Sequence, residues 1–92
     1  MTSQYQFDED KRETNIEKHG VDFYDAALIF EGPILRKVDN RKDYGEIRFV
    51  ALGLVDGEPF TVVYTERNDA IRIISAWRSG ESEYERYKNT FP

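Results

Sequence analysis

At 92 residues, with 39% hydrophobic and 34% charged side chains, the chain has room for one hydrophobic core and is expected to form a single domain over 1–92. No run approaches the roughly 20 apolar residues of a membrane-spanning helix, the opening MTSQYQFDEDKRE lacks the apolar core of a signal peptide, and with no cysteine there is no disulfide framework and no thiolate nucleophile, so the cytoplasm is the expected compartment. The net charge of −5 argues against a broad nucleic-acid surface, yet residues 1–46 hold 11 acidic and 7 basic side chains against 7 and 6 in residues 47–92, so one basic groove and a basic protein partner both stay open.

Tyr5 and Phe7 open the chain as a short apolar alternation that suits an edge strand. Asp8 has the character of a helix N-cap, and 9–18 follow as a polar helix with acids in its first turn, Lys18 and His19 at its end, and Gly20 as its stop. Asp22 and Asp25 resemble a capping box for a second helix over 23–30, in which Phe23, Ala26, Ala27 and Phe30 keep helical spacing until Gly32-Pro33 ends it. Strands are expected over 34–38, 47–54 and 60–65, with a charged loop at 39–45 and an Asp56-Gly57 hairpin turn; the near-continuous apolarity of 47–54 predicts burial on both faces. Asn68-Asp69 turns the chain into a fourth strand, where Ile71, Ile73 and Ser75 alternate with Arg72 and Ile74. Ser79-Gly80 breaks that strand, 82–88 form a short polar helix with Tyr84 and Tyr87 packed on the sheet, and 89–92 are expected to fray. The expected fold is α+β: two N-terminal helices, a four-stranded antiparallel meander and a C-terminal helix, with helices on one side and the other sheet face left to water or a partner.

An arginine at position 72, inside so apolar a strand, must be paired or face a wet groove, because a guanidinium keeps its proton. Arg67 and Arg78 could share that groove and converge with Arg72 on a phosphate; equally, each could pair with a nearby acid such as Glu66, Asp69 or Glu81. His19, the single histidine, could exchange a proton with a substrate or could simply favour the helix dipole and pack over Gly20. Glu66 is a possible proton acceptor or a solvated turn residue. Lys11, Arg12 and Lys18 offer a basic helix face or ordinary surface, and Trp77 offers a stacking platform for a base or a packing residue. One histidine without cysteine is a poor ligand set, so neither a metal nor another cofactor is expected, and no Gly-rich phosphate loop or nucleophile motif points to a small metabolic enzyme.

Together, FDEDKRETNIEKHGVDFYDAALIF near the start and VVYTERNDAIRIISAWR near the end resemble the BrnT family, the toxin halves of bacterial type II toxin–antitoxin systems, over about residues 5–87. NIEKHGVDF and TERNDAIRIISA carry most of that resemblance. It implies a RelE-like architecture and a metal-independent ribonuclease that blocks translation by cutting RNA. It also implies a partner, a BrnA-type antitoxin with a ribbon-helix-helix part, through which operator DNA would be contacted. The implied chemistry is attack of a ribose 2′-hydroxyl on the neighbouring phosphorus, with His19 exchanging protons and Arg67, Arg72 and Arg78 holding charge. The chain departs from the family pattern at Trp77, where an arginine is common, at Phe7 in place of a tryptophan, and at Glu81, Glu83 and Glu85 in place of arginines. A protein that keeps the fold and the antitoxin surface without the nuclease site is the alternative these departures raise.

Overall fold

The computed structural model describes residues 4–92. Its elements run β1 (Gln4–Gln6), α1 (Glu9–His19), α2 (Phe23–Ala26) continued by a 3-10 turn (Ala27–Glu31), β2 (Leu35–Val38), β3 (Phe49–Val55), β4 (Glu58–Arg67), β5 (Ala70–Arg78) and α3 (Glu81–Thr90). Helix α1 starts where the Asp8 carboxylate accepts from the Asp10 and Lys11 amides, and it ends at Gly20, whose φ of 68° is a left-handed conformation that glycine adopts without steric cost. The segment expected as one helix over 23–30 is instead a single α turn that tightens into a 3-10 turn. Ile29 is buried and Phe30 packs against the core within that turn, and Gly32-Pro33 stops the chain before another α turn can form. The Asp22 carboxylate caps this turn through the Tyr24 amide at 3.0 Å.

The sheet has five strands in the order β1-β5-β4-β3-β2, with β1 parallel to β5 and every other pair antiparallel. This corrects the expected four-stranded antiparallel meander. The first strand is only three residues long and pairs with the last strand of the chain, a long-range partner that no local pattern announces. Positive φ at Asn68 and Asp69 makes the tight turn between β4 and β5, as Asp56 and Gly57 do between β3 and β4.

Strand register sorts the side chains onto two faces. Ala51, Phe60, Val62, Tyr64, Ile73 and Ala76 point to an inner face, where Val21, Phe23, Ala26, Ala27 and Ile29 complete the core. Leu35, Leu52, Thr61 and Trp77 form a row across the outer face. Between Val63 and Tyr64 the β4–β5 register slips, so Val63 faces Ser75 while Tyr64 faces Ile73, and Ile74 is the extra residue of a β-bulge. Strict alternation along β5 would have placed Arg72 and Arg78 on one face. The bulge instead puts Trp77 on the outer face with Arg72 and sends Arg78 to the inner face opposite Phe60.

The helices are not confined to one side. Helix α3 flanks the outer face, where Ser82, Glu83 and Arg86 border a groove floored by Leu35, Leu52 and Trp77. It extends through Thr90, past the expected end, and the following Phe91 packs its ring 5.0 Å from that of Tyr87, so the expected frayed tail begins later than position 89. The Tyr87 hydroxyl donates to the Pro33 carbonyl at 2.7 Å, fixing α3 to the start of β2. Among the described residues no helix is long and apolar enough to cross a membrane.

Gly53 is required by the inner face. A Cβ there would lie 2.7 Å from Cβ of Ile29, an atom bonded directly to the backbone and unable to swing away. Gly53→Ala is therefore expected to destabilise the fold by about 1–3 kcal/mol through overpacking, read as a lower denaturant midpoint at unchanged slope.

Candidate active site

Helix α1 is polar, and its buried anchor is Asn15, which is 5% exposed. Beyond Gln6, β1 no longer covers the outer edge of β5, and the Asn15 side chain takes its place. Its Nδ2 donates to the carbonyls of Ala76 at 2.8 Å and Val21 at 2.9 Å, while its Oδ1 accepts from the Ala76 amide at 3.2 Å. A primary amide has the same donor and acceptor pair as a backbone peptide, so one side chain continues the ladder. The result fixes the C-terminal turn of α1 beside the end of β5.

That docking brings together Lys18, His19, Trp77 and Arg78 around an open hollow of about 540 Å³. The His19 and Trp77 ring centroids are 5.9 Å apart at a 43° tilt. A second hollow on the same side of α1 is bordered by Lys11, Lys18, His19, Ile74 and Ser75. His19, Lys18, Trp77 and Arg78, singled out separately in the sequence, thus share one site, with Lys11 beside it.

The remaining candidates lie elsewhere. Arg72 sits on the outer face between Thr65 and Gln6 and makes no ion pair among the described residues. Four residues lie between it and Trp77, and Arg78 is on the opposite face of the sheet, so the three arginines do not converge on one phosphate. Arg67 donates to Glu46 at 2.9 Å, and Arg78 pairs with Glu58 while lying over the Phe60 ring. Glu66 is on the inner face, 3.6 Å from the Arg36 guanidinium, and so cannot serve as base to Arg72 through the sheet. The acids that hold the first two arginines, Glu46 and Glu58, are more than 15 positions away in sequence and are not the near neighbours considered above. Asn15 was not among the sequence candidates; the available signal was a helix with Ile16 as its one apolar position, which must bury something else to dock.

Two other arginine–carboxylate forks hold the frame, one at α1 and one at the far edge of the sheet. Arg12 clasps Asp22 through Nε at 2.9 Å and a terminal nitrogen at 2.8 Å, which holds the Asp22 carboxyl below the usual carboxylate range. At the end of β2, Arg41 forks onto the buried Asp39 at 2.7 and 2.8 Å, and these bonds, with the Arg41 amide, lower the Asp39 pKa to about 2. Because the folded value lies below the unfolded one of about 3.9, Asp39 contributes stability above about pH 4 that is lost as pH falls toward 2. Thermal unfolding of wild type and Asp39→Asn is expected to differ at neutral pH and to converge near pH 2.

The molecule is thus a small α+β domain in which the end of α1 and the end of β5 border a cationic, histidine-bearing hollow, and its fold is similar to that of a ribonuclease toxin. The family model described as "Ribonuclease toxin, BrnT, of type II toxin-antitoxin system" matches residues 7–83, and the chain belongs to the BrnT family. Its structure is similar to the 1.1 Å crystal structure of the Brucella abortus ribonuclease toxin BrnT, with a TM-score of 0.64 and 30% sequence identity over 87% of this chain and 100% of that one. No curated protein sequence matches the chain at a significant level. As a toxin of a type II system, it has an antitoxin as partner.

Proposed function

We propose that this chain is a metal-independent ribonuclease that cuts RNA in the cytoplasm, inhibits translation by doing so, and is neutralised by a BrnA-type antitoxin whose ribbon-helix-helix part makes the operator contacts. The observation that carries this reading is the meeting of His19 with Lys18 and Arg78 in one hollow. In the proposed reaction the ribose 2′-oxygen loses its proton and bonds to the neighbouring phosphorus as the phosphorus–5′-oxygen bond breaks, and the departing oxygen takes up a proton. His19 exchanges protons with these oxygens, and Lys18 and Arg78 stabilise charge on the phosphoryl group. Arg72, with Lys11, holds RNA phosphates farther along the same side of the molecule. Arg67 and Glu66 are assigned supporting roles at the sheet margin, through their pairs with Glu46 and Arg36.

The test is induction of the chain alone in bacteria, with growth and total RNA followed, and incubation of the purified protein with RNA in EDTA. Growth arrest with RNA loss, relief by the co-expressed antitoxin, and cleavage that survives chelation are the expected results. Arg72→Ala is expected to weaken RNA binding similarly across sequences and to reduce the salt slope of log K by about 1, measured by titration in a salt series.

A second reading is favoured by one observation: Glu58 already holds Arg78, the arginine assigned to the phosphoryl group. In that reading the chain is a catalytically degenerate module that binds the antitoxin only. Soluble, folded protein that forms the antitoxin complex without arresting growth or cutting RNA is its signature.

A further inference from the structure

Trp77 stands between two openings. On one side it borders the His19 hollow; on the other it borders the groove of about 550 Å³ between α3 and the outer sheet face. The groove lies within the size range of small-molecule sites. Its floor combines the flat indole with Leu35 and Leu52, and Lys37 and Arg86 stand at its walls. Neither of these cations makes an ion pair among the described residues, whereas Arg12, Arg41, Arg48, Arg67 and Arg78 are all held by carboxylates. Glu83 shares the α3 wall with Arg86 and lies in its field, so two cations without ion pairs stand against that one carboxylate; beside an apolar aromatic floor they fit a ligand that is flat and aromatic at one end and anionic at the other.

We infer that this groove binds one unpaired nucleobase of the RNA, stacked on Trp77, with the adjoining phosphate held by Lys37 or Arg86. The inference rests on the ribonuclease reading for its substrate and goes beyond it by making single-stranded RNA the substrate class. A base paired within a helix is stacked on its neighbours and cannot enter a slot between a helix and a sheet. Trp77 then fixes which nucleotide lies next to the His19 hollow, and an arginine at this position would supply charge in place of the stacking platform.

Trp77 is the only tryptophan of the chain, so its fluorescence reports the two openings that it borders. The full chain is titrated with a short 2′-O-methyl oligoribonucleotide, which cannot be cleaved through its 2′-oxygen, and with the same strand annealed to its complement. Quenching by the single strand and not by the duplex is the expected result. Anisotropy of a labelled strand then compares wild type, Trp77→Phe and Trp77→Ala, each checked for folding by thermal unfolding. Loss of the ring in Trp77→Ala is expected to weaken binding about 5- to 100-fold, as for other stacked bases, and Trp77→Phe to retain most of it. Unchanged fluorescence, equal quenching by duplex, or unchanged affinity in folded Trp77→Ala overturns the slot. Cleavage of RNA by wild type together with any of those results leaves the ribonuclease reading standing. Quenching by the single strand without cleavage leaves the slot and removes the ribonuclease. Quenching by an antitoxin peptide but not by RNA assigns the groove to the protein partner and overturns the proposal.

Discussion

His19→Ala is expected to lower the rate constant for RNA cleavage by about 10²- to 10⁴-fold, the usual worth of a positioned acid or base, with little change in stability. The small structural cost follows from its place. His19 ends α1 as an exposed residue whose ring neighbours that of Trp77, and Gly20 rather than His19 makes the stopping bond to Ile16. Loss of a side chain that favours the dipole at a helix C-terminus costs at most about 1 kcal/mol at an exposed site. Single-turnover cleavage, which separates chemistry from RNA binding, is the measurement. His19→Ala should slow the chemical step while leaving the affinity for an uncleavable strand within a few-fold. Lys18→Ala and Arg78→Ala should slow the same step through lost phosphoryl stabilisation, by about 10²- to 10³-fold if each contact is made in the transition state. A His19→Ala protein that cuts at the wild-type rate would take the proton exchange away from this hollow.

Asn15→Leu is expected to be the most destabilising single substitution on α1. Leucine keeps much of the volume but removes the amide that serves Ala76 and Val21. The backbone groups left behind are buried, and each unsatisfied group costs about 1–3 kcal/mol, so a total near 3 kcal/mol or more is expected. Asn15→Asp is expected to be as damaging, because its carboxylate would face the Ala76 and Val21 carbonyls with no proton to donate. Denaturant unfolding measures the loss. A fully stable Asn15→Leu would mean that α1 docks through some other contact. Because the same amide holds the His19 end of α1 against β5, cleavage by the folded fraction should fall as well.

The parts of the fold that were legible in sequence are those set by neighbouring residues. Asp8 and Gly20 bound α1, Asp56-Gly57 and Asn68-Asp69 make the turns, and the strand positions follow from runs of branched and aromatic side chains. What was not legible depends on residues distant in sequence. The pairing of β1 with β5, the bulge at Ile74 and the path of α3 over the outer face are all decided by packing between elements. The bulge had the largest effect on the site. A one-residue slip changes which side of a strand faces the core, and here it separates Arg78 from Arg72 while bringing Trp77 to the outer face. The arginine pairs show the same limit: Arg67 and Arg78 find carboxylates supplied by earlier strands and loops, not by their chain neighbours. His19, Lys18 and Trp77 were each legible as residue types with suitable chemistry. Their meeting depended on Asn15, which offered only the weak signal of a polar residue inside an already polar helix.

The amide of Asn15 also bears on how the chain survives its own folding. An uncovered strand edge invites pairing with another molecule, the first step of aggregation. In this sheet the three-residue β1 covers only the beginning of β5, and a single side chain seals the stretch around Ala76. At the opposite edge, β2 is short and carries Arg36 and Lys37, which repel a like strand. Until α1 docks, the newly made chain therefore presents one adhesive edge, and the residue that fixes the histidine end of α1 is also the one that covers that edge.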